Sequence, residues 1–245
     1  PQYLCLETPQ SFSLKLIFFI PIFFCSSISI VFNTDCSGAF KPSKNLELKI
    51  LIVLAKNDYE TIEAIKNYDC EILFQTGKGY GNAIREGINH AATKYVSIFY
   101  ADGSTDPKNL KPMLDKIIDQ KNQIVFGSRY EKNAGSHDDN LITKIGNYFF
   151  TLFGNIFFSL NISDILFTYI VAEKSALDKL KLTSDDYCLC VEIPIKTKKI
   201  GFKYVTHPCF ERKRLADKKK VKAFNDGLKI LNYMIKSFIS VFFNK

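Results

Sequence analysis

Asp102 ends an apolar run, Lys94 to Ala101 (KYVSIFYA), and opens the turn Asp102-Gly103-Ser104-Thr105-Asp106-Pro107. A carboxylate at a strand end, inside a Gly-Ser turn, suits a hard divalent cation held between protein and pyrophosphate, with Ser104 or Asp106 adding an oxygen. The same D-G-S turn also serves as a plain backbone cap. Gly77-Lys78-Gly79-Tyr80-Gly81-Asn82-Ala83 lies between a strand and a helix. Bare amides at a helix start favour a phosphate, and Lys78 adds charge. Its GxGxG spacing matches neither the dinucleotide fingerprint nor the P-loop, so a tight turn without ligand competes. A third group is cationic: Arg129 closing VFGSRY, and Arg212 and Arg214 within ERKR, with Lys218 to Lys220 beyond. Guanidinium groups fork onto phosphate oxygens, whereas a lysine run is more often a solvated face.

Elements that place these residues alternate in the βαβ manner from Leu46 onward. LKILIVLA is a continuous apolar run, as a strand covered on both faces should be. Then come YETIEAIKNY as a helix, CEILFQ as a strand and NAIREGINHAA as a helix. KYVSIFYA, NLKPMLDKIID and QIVFGSRY read as strand, helix and strand. The alternation predicts an α/β fold with a mainly parallel sheet and helices on both faces. Beyond it, TKIGNYFFTLFGNIFFSL is a helix apolar on nearly every side, expected to pack on the sheet and show an apolar edge to lipid. The tail from Lys218 is one long amphipathic helix with a basic start, fit to lie in a membrane interface or to complete the core. The expected division is one domain over residues 1–220 and a C-terminal helix over 221–245.

Bulk properties narrow the classes. The 245 residues are 47% hydrophobic and 24% charged, which excludes bulk disorder, and 33 Lys and Arg against 25 Asp and Glu give a net charge of +8. That charge suits phosphates or an acidic lipid surface; no nucleic-acid motif accompanies it, so a nucleic-acid partner is not expected. The 7 cysteines are scattered without a CxxC pair and read as free thiols in a reducing compartment, and the 3 isolated histidines make no metal cluster. The chain begins at Pro1 rather than Met, as a piece of a longer protein would. Leu14 to Phe32 carries Lys15 as its only charge. It is slightly short of the roughly 20 residues that span a bilayer. It reads either as a signal or anchor segment or as a buried strand followed by a helix. Pro21 favours the strand.

Taken in order, GKGYGNAIREG, ADGSTDP, VFGSRY, Ser163-Asp164, VEIPIK and HPCFERKR resemble family 2 glycosyltransferases. The branch they are most similar to is that of dolichyl-phosphate mannose synthases and related polyprenyl-phosphate glycosyltransferases. The resemblance runs from about Leu48 to Leu231 and implies a GT-A fold, inversion at the anomeric carbon, and Mg²⁺ or Mn²⁺ as electrophile. Asp102 matches the second carboxylate of the family's DxD motif, Ser104 a metal-side ligand, Arg129 its GSR arginine, and Arg212 and Arg214 its phosphate-binding basic motif. The chain departs from the pattern where Ile20 to Cys25 and Val53 to Asn57 lack the acids that hold the nucleotide. Tyr100 stands for the first DxD carboxylate.

The implied reaction displaces nucleoside diphosphate from the sugar C1, with the metal, Lys78, Gly79, Gly81 and Arg129 around the diphosphate. A polyprenyl-phosphate acceptor needs no strong base, since its nucleophile is already an anion; an alcohol acceptor needs one, with Glu192 or Asp164 as candidates. The expected partners are a nucleotide-sugar donor, a lipid-phosphate acceptor and a membrane surface. The expected location is cytoplasmic, peripheral at the cytoplasmic face of a membrane. The rival reading is a catalytically impaired relative that keeps the fold and binds an anion or a membrane.

Overall fold

A computed structural model describes residues 12–19, 46–100, 102–214 and 223–243. Nine strands and seven α-helices fall among them. They run β1 (Phe12–Phe19), β2 (Leu46–Leu54), α1 (Tyr59–Ile65), β3 (Glu71–Phe74), α2 (Tyr80–His90) and β4 (Tyr95–Tyr100). A 3₁₀ turn (Pro107–Asn109) leads into α3 (Leu110–Ile118), β5 (Ile124–Ser128), β6 (Gly135–Ser136) and α4 (Leu141–Phe158). The chain then forms β7 (Ile170–Glu173), α5 (Lys174–Leu180), α6 (Leu189–Ile200), β8 (Tyr204–Pro208), β9 (Phe210–Glu211) and α7 (Ala223–Phe243).

Seven strands make one sheet in the order β3-β2-β1-β4-β7-β5-β8, and β6 pairs with β9 in a small second sheet. All neighbours in the large sheet are parallel except β7, which runs against both β4 and β5. Phe12–Phe19 is a strand between β2 and β4, so the strand reading of the N-terminal run holds there. Pro21 and the helix expected after it lie outside the described residues.

Alternation along each strand sends side chains to two cores. Leu51, Val53, Val96, Ile98, Ile124 and Phe126 pack under α2, α5 and α6. Tyr95, Phe99, Val125, Tyr169 and Val171 pack under α3. Ile52 and Leu54 meet Ile65 of α1. Helices therefore cover both faces, as the sequence predicts. A third cluster joins α4, α6 and α7 through Phe150, Val191, Ile195, Ile230 and Met234. Ile230 and Met234 are 4% and 0% exposed, so α7 completes a core, while Phe224 and Leu228 on the same helix stay outside. One of the two expectations for the tail, a helix that completes the core, is what the packing shows.

Candidate functional site

Because β1, β2, β3, β4 and β5 share one direction, their carboxyl ends gather at one edge, where open α/β sheets bind ligands. Asp102 follows β4 at that edge. Its Oδ1 accepts from the Ser104 backbone N at 3.0 Å and from the Ser104 hydroxyl at 2.6 Å. This Asx turn leaves Oδ2 facing Arg214, with Nη1 at 3.6 Å. The Ser104 hydroxyl is buried and donates to Asp102, so its proton orients the carboxylate, while the oxygen keeps the lone pairs that the expected metal-side role would use.

The basic segment after β9 lies across this turn. The Arg212 backbone N donates to the Ser104 carbonyl at 2.7 Å, and the Arg212 guanidinium pairs with Asp106. Arg214 donates from Nε to Asp138 Oδ2 at 3.1 Å as well as facing Asp102. Burial works to lower the Arg214 pKa, but the carboxylates of Asp102 and Asp138 outweigh it and hold the group charged. Asp138 was not singled out in the sequence. Its loop reads only as polar, and its partner stands far along the chain.

Arg129 sits deeper. Nε and Nη2 donate to the two oxygens of Asp164 at 2.7 and 3.0 Å, and Nη1 reaches Glu211 at 3.1 Å and Asp139 at 3.5 Å. The side chain is 10% exposed and stacks over the Phe167 ring at 4.7 Å. Burial alone would lower its pKa, yet Asp164, Glu211 and Asp139 raise it well above the ordinary value. Two expectations fall here. Arg129 is a buried clamp rather than an open phosphate ligand. Asp164, its side chain 0% exposed, is occupied by the fork and by the Arg129 backbone N and does not face an incoming acceptor.

Glu192 is corrected for a similar reason. Its carboxylate accepts from Thr183 N at 2.8 Å, Thr183 Oγ1 at 2.9 Å and Ser184 N at 2.8 Å, and pairs with Lys196 at 2.6 Å. Burial works to raise its pKa, but Lys196 and the loop donors outweigh it, leaving it lowered and ionised. What Glu192 fixes is the loop that meets the glycine turn. There Asn82 N donates to the Asp185 carbonyl at 3.1 Å. A Cβ on Gly79 would stand 2.2 Å from that carbonyl, and one on Gly81 2.4 Å from the Ser184 carbonyl. Gly79, with φ +103°, and Gly81 are small to admit protein backbone, which replaces the phosphate expected against them. Lys78 is exposed and makes none of these contacts.

Tyr100 and Tyr80 were not expected to meet. Both hydroxyls bond to Thr168 Oγ1, and Tyr100 Oη also accepts from Thr168 N at 3.0 Å. The residue in place of an acid is thus bolted inward, joining the glycine-turn helix to the end of β4. Burial pushes both phenols up in pKa, so both stay neutral donors and acceptors. One network now links the candidates: Asp102 to Arg214, Arg214 to Asp138, and the adjacent Asp139 to Arg129.

The parallel sheet with one reversed strand, sandwiched by helices and ending in an acidic turn after β4, is the GT-A fold. The family model for glycosyl transferase family 2 matches residues 39–181, more than half of the chain, and the chain belongs to that family. It is 22% identical over 160 residues to Glycosyltransferase AglJ of Haloferax volcanii, covering 65% of this chain and 52% of that protein. It is 32% identical over 78 residues to the uncharacterized protein RP748 of Rickettsia prowazekii, covering 29% and 21%. The chain thus spans about half the length, or less, of these curated relatives. Mannosyl-3-phosphoglycerate synthase from Rubrobacter xylanophilus superposes with a TM-score of 0.65 at 14% identity, over 92% of this chain and 73% of that one. Glucosyl-3-phosphoglycerate synthase from Mycobacterium tuberculosis, solved with Mn²⁺, UDP-glucose and phosphoglyceric acid, gives 0.62 at 11% identity, over 94% and 80%. These likenesses are of fold.

Proposed function

We propose that this glycosyltransferase moves a sugar from a nucleoside-diphosphate sugar, with Mg²⁺ or Mn²⁺, onto a lipid-linked phosphate at the cytoplasmic face of a membrane. The observation that carries the acceptor is the state of the carboxylates. Asp102, Asp106 and Asp138 are paired with Arg214 and Arg212, Asp164 with Arg129, and Glu192 with Lys196. An alcohol must lose its proton to a base; a phosphate oxygen is already an anion and needs none. The solved relative that holds phosphoglyceric acid supports a phosphate-bearing acceptor.

Divalent ions of this kind need only one or two protein carboxylates when phosphates supply further oxygens. Among the described residues no group of three His, Cys, Asp or Glu is placed to hold a metal. Asp102 Oδ2, outside the Ser104 hydrogen bonds, fits an ion shared with a diphosphate; when bound, such an ion supplies positive charge to the leaving group. The chain's own work is to aim Asp102 through Ser104 and to present Arg212 and Arg214 to phosphate. Tyr100 and Thr168 brace the strand end beneath them.

Supporting the lipid, α4 starts directly after Asp138 and Asp139 and exposes Leu141, Ile142, Ile145, Tyr148 and Ile156 at 60% or more. Phe224 and Leu228 of α7, a helix packed against α4, are exposed as well, and large apolar side chains left outside in this number mark an interaction surface. No helix among the described residues is long and apolar enough to cross a membrane, so the face suits lying on one. The buried free thiols Cys188, Cys190 and Cys209 support a reducing compartment.

One observation favours the impaired-relative reading: Tyr100 in place of an acid. The test is transfer from UDP- and GDP-sugars to a polyprenyl phosphate in liposomes with Mn²⁺, for wild type and Asp102→Asn. Turnover in the wild type that Asp102→Asn abolishes supports the enzyme. No metal-dependent turnover with any donor hands the case to the rival.

A further inference from the structure

Arg214 already holds the ground beside Asp102 that a divalent ion would take. Asp102 Oδ1 is occupied by Ser104, its Oδ2 faces Arg214 Nη1 at 3.6 Å, and Tyr100, in the place of a second acid, turns its hydroxyl into Thr168. A bare Mg²⁺ or Mn²⁺ would meet one carboxylate oxygen with a guanidinium against it. A diphosphate changes both sides of that balance, because it offers oxygens to the ion and a stronger anionic partner to the arginine. Asp138 keeps Arg214 tethered on its Nε side at 3.1 Å, leaving the Nη side to swing between partners.

We infer that Arg214 is an exchange counter-ion: it screens Asp102 from free metal and crosses to the diphosphate when metal and nucleotide arrive together. Ordered entry follows, because the binary complex of protein and metal is weak. The inference rests on the donor reading above.

Mn²⁺ binding to the full chain, read by electron paramagnetic resonance and by calorimetry, is measured with and without UDP or GDP. Wild type binds bare Mn²⁺ weakly and Mn²⁺ with nucleotide far more tightly. Arg214→Gln moves the two affinities in opposite directions: bare Mn²⁺ binds about threefold to fivefold better as Asp102 loses its neighbour. Mn²⁺ with nucleotide binds roughly tenfold worse, through loss of a charged phosphate contact. A merely structural role for Arg214 lowers both together. Asp138→Asn, which frees the tether and keeps Arg214, serves as a second variant and weakens the nucleotide complex alone. Tight Mn²⁺ binding to the wild type without nucleotide overturns the inference, as does an unchanged bare-metal affinity in Arg214→Gln. If Mn²⁺ with nucleotide fails to bind the wild type at all, the donor reading falls and this one with it.

Discussion

Two arginine clusters share the carboxyl edge of the sheet, and they differ in how far water reaches them. Arg129 is 10% exposed among Asp164, Glu211 and Asp139, whose side chains are 0%, 6% and 4% exposed. Arg214 is 26% exposed against Asp102 and Asp138, and Arg212 is 52% exposed against Asp106. Both clusters carry the same chemistry. In the first, the pairs are desolvated, the geometry is bidentate, and removing one partner strands the others. In the second, the carboxylates Asp102, Asp138 and Asp106 are 16%, 11% and 22% exposed, and water reaches the guanidinium groups further, so the arginines can exchange for a ligand. Exposure, not residue type, separates a clamp from a binding group.

The largest effect should come from breaking the clamp. Arg129→Ala leaves three buried carboxylates without their cation and is expected to cost about 3–5 kcal/mol of stability, read by urea unfolding. Asp164→Asn should fall in the same direction, and the two should be strongly non-additive. An Arg129→Ala protein as stable as wild type but unable to bind nucleotide would erase the distinction between the clusters.

Glu192 extends the clamp logic to the loop that abuts the glycine turn. Glu192→Gln is expected to cost about 2–3 kcal/mol, from the lost ion pair and weakened bonds to Thr183 and Ser184. The pH dependence has a definite sign. The folded pKa lies below the ordinary 4.5, so the folded state binds the proton less readily than the unfolded chain. This contribution is complete above about pH 4.5 and fades as pH falls through the lower, folded value. Stability measured from pH 6 to 3 should decline less steeply in Glu192→Gln than in wild type. Gly81→Ala tests the other side of the same contact. With the Ser184 carbonyl 2.4 Å from the new Cβ, overpacking of about 1–3 kcal/mol is expected, again by unfolding. A neutral Gly81→Ala would return that turn to the candidates for phosphate.

Sequence periodicity reached the sheet because strands covered on both faces leave unbroken apolar runs, as LKILIVLA and QIVFGSRY do. It missed β7. Four residues long, β7 takes its direction from Ile98 and Phe126, both of which pair with Ile170 across long stretches of chain. The site was legible in the same uneven way. Asp102 and the ERKR cations stand in turns and loops whose composition marks them. The partners do not: Asp138 and Asp139 read as a polar loop until Arg214 and Arg129 arrive from elsewhere. Asp164 and Glu192 misled because a carboxylate looks alike in sequence whether free or saturated; burial and donors decide.

The smallest expected loss of stability is the sharpest test of the contrast. Arg212 pairs with Asp106 through a side chain 52% exposed, so solvent screens most of the attraction. Arg212→Ala should lower stability by less than about 1 kcal/mol, because both groups find water when parted. If this side chain meets phosphate, the same change should weaken binding of an anionic acceptor analogue roughly tenfold, since a charge-assisted bond is worth more than the exposed ion pair it replaces. Calorimetry with a short-chain polyprenyl phosphate, set beside an unfolding curve, reads both quantities on one preparation. An Arg212→Ala protein that loses several kcal/mol of stability would place Arg212 with Arg129, as a second clamp. One that loses neither stability nor affinity would take Arg212 out of acceptor binding.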